Sequence, residues 1–244
     1  MMRNVIIDGN NHVSICLYRA DSNLRKDAPD KLDEYLPGAI RKLYLAMLRK
    51  LQRDFGEFSN YYIAWDAPGG SAWRKEIVKS YKAGRSHHKA LQDAIQIGKS
   101  IAEELMITNV EIDGAEADDT IYALCRELEG ENIVISRDHD MIQIVQTGFA
   151  KRVFDPVFKK DLEIPSYDIV AFKALVGDSS DNIPGVKNIG PSKAIKILEN
   201  GGIGSLTSSL YEEVSAYKKI ISLCENPRYP YNAAFVKKLI EENV

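Results

Sequence analysis

The chain is 244 residues long and 45% hydrophobic, with 32 Lys and Arg against 35 Asp and Glu for a formal net charge of −3. This length accommodates one large α/β domain, or such a domain with a small helical appendage, and buries a full core without staples. Cys16, Cys125 and Cys224 are widely spaced and form no C-x-x-C pair, which speaks against a disulfide scaffold or a cysteine zinc site and fits a reducing, cytoplasmic compartment.

No apolar run is long enough to span a bilayer, so no membrane partner is expected. Residues 3–7 predict a first strand that delivers Asp8-Gly9, a beginning that does not read as a signal peptide. Residues 12–20 follow as a short helix or turn, and the polar positions 21–30, with Pro29, as a loop. A long helix is predicted from Leu32 to Phe55, with Leu36, Ile40, Leu43, Met47, Leu48 and Leu51 at roughly the three-and-four spacing of a buried face. Residues 60–65 give the next strand, which delivers Asp66 before a Pro-Gly-Gly break.

Residues 73–89 bring together Arg74, Lys75, Lys79, Lys82, Arg85 and Lys89, opposed only by Glu76. Ile77, Val78 and Tyr81 make a stripe too thin for a core helix. A solvated charge run and a basic wall contacting phosphates both remain open, and closeness to Asp66 favours the wall. His87 and His88 read as surface residues, because no third histidine or cysteine stands at ligand spacing.

A helix from Leu91 to about Met106 turns Ile95, Ile97, Ile101 and Leu105 inward. Then comes D-G-A-E-A-D-D at 113–119, with Asp118 and Asp119 in the first turn of a helix reaching Leu128, where the dipole favours carboxylates. A strand at 132–136 delivers Asp138 and Asp140. A helical turn at 141–145, a strand at 151–154, and an edge strand or hairpin between Val157 and Ile164 follow. Tyr167 to Val176 is helical and leads to the loop G-D-S-S-D-N, which holds Asp178 and Asp181.

Residues 183–196 predict two short helices about a Gly-rich hairpin, with Pro191 opening the second. Outward N–H groups around Gly190 and Ser192, flanked by Lys187, Lys193 and Lys196, suit a phosphate. Residues 201–209 read as a loop and 211–243 as helical pieces. The segment beyond Asn200 has scattered lysines and no motif, so it is expected to be dispensable for metal binding.

The acids are more informative together than singly. Glu116, Asp118 and Asp119 repel one another and make poor core material. Asp8, Asp66, Asp138 and Asp140 each follow a predicted strand, and strand C-termini of an α/β sheet converge on one crevice. Any one of them reads as a cap or turn residue; together they predict an acidic site that divalent cations neutralise. The slightly acidic total charge does not exclude a polyanion bound through local basic patches.

Four blocks resemble the 5′-nuclease, or flap endonuclease, superfamily, with the 5′–3′ exonuclease domain of bacterial DNA polymerase I and stand-alone phage enzymes as the nearest likenesses. They are D-G-N-N; Asp66 followed by W-R-K-E-I-V-K-S-Y-K-A-G-R; G-A-E-A-D-D with S-R-D-H-D; and G-D-S-S-D-N-I-P-G-V-K-N-I-G-P-S-K-A. The resemblance implies a mostly parallel, PIN-like central sheet flanked by helices. A catalytic core over 1–165 would include a helical arch at about 73–100, and a helical region over 166–244 would hold duplex DNA on the 183–196 hairpin.

It also implies two Mg²⁺, with Mn²⁺ as substitute. Asp8, Asp66, Glu116 and Asp118 would surround the first ion. Asp138, Asp140 and Asp181 would lie at the second, with Asp119 and Asp178 as further acids. Lys82 and Arg85 would stand over the scissile phosphate, and a K⁺ ion would bind near the hairpin. The implied partner is DNA with a 5′ flap, nick or free 5′ end, or an RNA–DNA hybrid, cut by a monomer.

The chain departs from this pattern in three places. The arch reads G-R-S-H-H-K-A where many relatives have a proline-containing turn, the tail is short with no polymerase domain, and no clamp-binding motif supports a sliding-clamp partner. A PIN-like RNA-processing nuclease is disfavoured by the G-D-S-S-D loop and the hairpin, and a non-catalytic binder by the retained acids. A P-loop or Rossmann enzyme lacks its glycine fingerprint.

Overall fold

Five strands run parallel in the order β3-β2-β1-β4-β5: β1 (Arg3–Asp8), β2 (Asn60–Trp65), β3 (Thr108–Glu111), β4 (Glu131–Ile135) and β5 (Arg152–Asp155). The short β6 (Lys160–Asp161) closes one edge antiparallel to β5. The computed structural model describes residues 2–56, 59–84 and 89–223, together with Val236, Lys238 and Glu241. Central β1 sets Val5 opposite both Tyr61 of β2 and Ile133 of β4.

The strands read as continuous apolar runs because both sheet faces are covered. Alternation along each strand sends side chains to opposite layers. Val5, Ile7, Ile63, Trp65, Ile133 and Ile135 meet one helical layer, formed by α1 (Gly9–Asp27), α2 (Leu32–Phe55) and, beyond the short α3 (Ala72–Ile77), α4 (Lys89–Glu104). Ile6, Tyr62, Ala64 and Val134 meet the other, formed by α5 (Ala117–Glu127) and α6 (Ile142–Gln146).

A third core joins α7 (Ile169–Val176), α8 (Pro191–Glu199) and α9 (Ser208–Ile221) through Leu175, Ile183, Ala194, Val214 and Ile220. Tyr81 and Ile142 belong to the same cluster and tie it to the sheet domain. No helix among the described residues is long and apolar enough to cross a membrane.

Several local expectations need correction. Residues 21–27 continue α1 instead of forming a loop; Arg25 reaches back one turn to both oxygens of Asp21 at 2.6 and 2.9 Å, and the helix stops at Ala28, before Pro29. Strand β3 was not predicted, being four residues long and paired on one side only. In the basic segment, α3 ends at Ile77 and turns lead to Gly84.

The first helix expected inside 183–196 is also absent. Asn182, Gly185 and Asn188 have positive φ values of 55°, 67° and 64°, which a helix does not tolerate. Segment 177–190 is instead a loop closed by the Asp178–Ile183 bridge, so the hairpin consists of α7, this loop and α8.

Gly9, directly after Asp8, lets α1 lie against β2. A Cβ there would fall 2.6 Å from Trp65 Cε3, 2.7 Å from the Ala64 carbonyl oxygen and 2.8 Å from Ile63 Cγ2. Gly9→Ala is expected to destabilise the protein by about 1–3 kcal/mol through overpacking. A urea midpoint equal to that of wild type would show that α1 does not approach the sheet this closely.

Candidate active site

The strand order reverses on either side of β1, which makes its C-terminal end a switch point where a crevice opens. Asp8 ends β1 and caps α1: Oδ1 accepts from the Asn11 N–H at 3.0 Å and Oδ2 from the Ser136 hydroxyl at 2.8 Å. Asp66 follows β2, accepting from the Ala117 N–H at 2.7 Å and Asn10 Nδ2 at 2.9 Å, so it satisfies a donor at the N-terminus of α5. Asp118 lies in the first turn of that helix. Asp138 follows β4 and accepts from the Asp140 N–H at 2.8 Å. Asp8, Asp66, Asp118, Asp138 and Asp181 line one open cleft of about 240 Å³, together with Lys82, Asn10, Asn11 and Ser14.

The carboxylates disturb one another. Burial pushes the Asp8 carboxyl up to about 7 against the hydrogen bonds from Asn11 and Ser136, and Asp138 and Asp66 push in the same direction as burial. Asp118 is raised well above the carboxylate range by burial, then by Asp138 and Asp8. Asp140 is pushed up to about 7 by burial and Asp138, with Lys173 opposing.

Cations approach from outside the acidic group. Lys82, with φ at +49°, donates to Glu116 Oε1 at 2.5 Å. Lys173 of α7 bridges Asp140 Oδ1 at 2.5 Å and Asp178 Oδ2 at 2.8 Å. Tyr81 adds a hydroxyl to Glu116 Oε2 at 2.9 Å.

Arg74 was expected on a DNA-facing wall and lies elsewhere. It is 1% exposed, donating to Asp119 Oδ1 and Oδ2 at 2.6 and 2.8 Å, Glu116 Oε2 at 2.8 Å, and the Ile220 carbonyl of α9 at 2.8 Å. A guanidinium fork matches two carboxylates as no lysine does. Asp119, expected as a metal ligand, is fully buried; it takes that fork and the Glu116 N–H, and so does not face the cleft. Asp178 shares its oxygens among Lys173, Ser180 and loop N–H groups, organising the loop that carries Asp181.

The segment beyond Asn200, expected to be dispensable for metal binding, nevertheless reaches this group, since the Arg74–Ile220 bond ties α9 to the guanidinium that holds Glu116. Lys75 and Lys79 are exposed, and Arg85, His87 and His88 lie outside the described residues. Lys187, Gly190, Ser192, Lys193 and Lys196 are exposed around the start of α8.

Sequence reasoning did not single out Lys173, Ser136, Asn10 or Asn11. Lys173 had one signal, a lone cation in the apolar run I-V-A-F-K-A-L-V. The two asparagines stood within D-G-N-N without a role. Among the described residues, no three carboxylates, thiols or imidazoles form a ready-made cage for a metal ion, and Glu116 and Asp140 turn toward Lys82 and Lys173. The donor set is nevertheless all oxygen, and crowded carboxyls raised by burial and then by one another fit hard divalent cations that retain part of their water shell.

Two outcomes follow from these pairings. Arg74→Ala leaves the fully buried Asp119 without its charged partner, while Glu116 keeps Lys82, and should cost about 3–5 kcal/mol; a denaturation midpoint near wild type would return Arg74 to the surface. The raised carboxyls bind protons more readily in the fold than in the unfolded chain. Their contribution is therefore full below about pH 4 and declines as pH rises through about 7. Asp118→Asn should flatten that decline in metal-free protein and raise its melting temperature near pH 7.5. A lower melting temperature there would mean that Asp118 is stabilising as a charge.

The family model for the 5′–3′ exonuclease N-terminal, resolvase-like domain matches residues 3–172, and that for the 5′–3′ exonuclease C-terminal SAM fold matches residues 164–240. A 5′–3′ exonuclease of Halalkalibacterium halodurans is 30% identical over 226 residues, covering 86% of this chain and 73% of the relative. DNA polymerase I of Caldicellulosiruptor bescii is 28% identical over 250 residues, covering 91% of this chain but 28% of the polymerase. A solved structure of T5 5′-exonuclease with divalent zinc bound superposes with a TM-score of 0.68 at 20% identity, over 98% of this chain and 96% of that one, which is a likeness of fold. With two consecutive domain models spanning nearly its whole length, the chain belongs to the 5′–3′ exonuclease family of nucleases.

Proposed function

We propose that this chain is a structure-specific 5′ nuclease that hydrolyses DNA phosphodiesters near single-strand/duplex junctions: at 5′ flaps, nicks and free 5′ ends, and on RNA–DNA hybrids. The observation that carries the reading is the crowding of Asp8, Asp118 and Asp138 in one cleft, where burial raises the proton affinity of Asp8 and Asp118 and the neighbouring Asp138 raises both further. A folded protein keeps such a group when something cationic joins it in function.

Asp8, Asp66, Glu116 and Asp118 would hold one Mg²⁺ or Mn²⁺, and Asp138, Asp140 and Asp181 a second. When bound, the two ions supply Lewis-acid stabilisation of the phosphoryl group and activation of water. The chain's own groups do the rest. Ser136 and the Asn11 N–H fix the Asp8 carboxyl, and Asn10 and the Ala117 N–H fix Asp66.

Lys82 stands at the cleft with Asp181 and pairs with Glu116. Its ammonium would meet charge growing on the phosphoryl oxygens, and Arg85 would share that task. Lys75 and Lys79 would contact flanking phosphates. Lys187, Lys193 and Lys196, with the N–H groups at Gly190 and Ser192, would hold duplex, with K⁺ bound by main-chain oxygens of the same turn. A monomer acting in the cytoplasm completes the reading.

Single-turnover cleavage of an end-labelled 5′ flap in Mg²⁺ tests it, paired with flap binding under chelation. Asp181→Asn should slow cleavage by several orders of magnitude with affinity kept or slightly raised, since a negative charge facing a polyanion is lost. Lys82→Ala should lower the rate far more than the affinity. Cleavage by Asp181→Asn within a few-fold of wild type would sink the two-cation assignment.

A further inference from the structure

We propose that the tip of the β5–β6 hairpin, Phe158 stacked on Arg137, is a binding site for an unpaired nucleobase of the substrate strand. The inference rests on the nuclease reading and adds a subsite to it. Phe158 is 63% exposed. A lone exposed apolar residue is ordinary, but this ring is not alone. The Arg137 guanidinium carbon lies 5.1 Å from its centroid, on a residue set between Ser136, which bonds Asp8, and Asp138, which lines the acidic cleft.

The turn is braced. Buried Asp155 accepts from the Val157 N–H at 2.7 Å and the Phe158 N–H at 3.0 Å through Oδ1, and from Arg137 Nε at 3.3 Å through Oδ2. One carboxylate therefore fixes both the backbone under the ring and the cation against it. The Arg137 N–H points to Asn11 Oδ1 at 3.4 Å, and Asn11 lines the cleft. The platform thus adjoins the rim of the acid site.

Charge selects the occupant. Arg137, Lys159 and Lys160 are all exposed here, while the buried Asp155 pairs with Arg137 at 3.3 Å and Asp161 with Arg152 at 3.2 Å. Basic side chains around an aromatic face suit a nucleic acid, whose phosphates meet the cations and whose bases meet the ring. An exposed ring reaches a base only where that base is unpaired, since bases in duplex are already stacked on one another. The geometry therefore favours the single-stranded part of the substrate, as it leaves or enters the cleft. Arg137 on one side of the ring and a base on the other would form a cation–ring–base stack.

The test compares affinities for a 5′-flap DNA and a blunt duplex of equal base-pair number, by fluorescence anisotropy with divalent cations chelated. Wild type should prefer the flap. Phe158→Ala should lower the flap-to-blunt affinity ratio by about 5- to 10-fold, as loss of one stacked base does. Phe158→Leu, which keeps apolar bulk without a π face, should fall with it, and Phe158→Trp should retain the ratio. Lys160→Ala should reduce the salt slope for the flap by about 0.7, the value of one single-strand phosphate.

A wild-type ratio of one, a ratio unmoved by Phe158→Ala, or a ratio retained by Phe158→Leu would each overturn the proposal. Wild-type cleavage in Mg²⁺ is scored separately. Its absence would remove the nuclease reading while leaving the binding ratio to judge the platform.

Discussion

Like-charge repulsion among carboxylates at the ends of parallel strands is the constraint around which this molecule is built. A parallel sheet brings the C-termini of β1, β2 and β4 to one edge whatever their sequences. Placing Asp8, Asp66 and Asp138 there concentrates negative charge where burial already disfavours it. The protein answers in two ways. Hydrogen-bond donors satisfy individual oxygens, as Ser136 and Asn10 do. Fixed cations, Lys82 and Lys173, pair with acids at the margin and leave Asp8, Asp118 and Asp138 facing the open cleft.

The same constraint explains why elements distant in sequence are joined beneath the cleft. Arg74 comes from α3, Glu116 and Asp119 from the entry to α5, and the Ile220 carbonyl from the last turn of α9. A buried guanidinium needs all of these acceptors, and removing it from water would be costly with fewer. Folding of the third core is thereby coupled to the posture of Glu116. Tyr81, buried in that core, completes the link through its hydroxyl.

Long periodic elements were legible in the sequence. The helix Leu32–Phe55 and the strand Asn60–Trp65 fall where the apolar spacing puts them, because in each the pattern and the burial agree. The second half of α1 was not legible, since its polar residues are held by an internal ion pair and by packing of the first half. Strand β3 was hidden by its length. The acids were visible as a group, but their division into cleft-facing and supporting members was not. Asp118 and Asp119 are adjacent in sequence and differ by about 100° around a helix, so one meets the cleft and the other a guanidinium.

Arg74 carries the same lesson for the basic residues. In the run from Arg74 to Lys82 every cation looks alike, and a charge count assigns them all to solvent or to phosphate. What separates them is the partner each finds after folding. Arg74 turns inward because Asp119 and Glu116 wait at fork distance, and its flat guanidinium packs 4.5 Å from the Trp73 ring. Lys82 sits at the boundary, paired with Glu116 yet lining the cleft, and Lys75 and Lys79 remain in solvent. One stretch of sequence thus supplies a structural strut, a charge at the acidic cleft and a diffuse basic surface. The order follows depth: the cation nearest the buried acids is spent on holding them, and those beyond it reach the cleft or solvent.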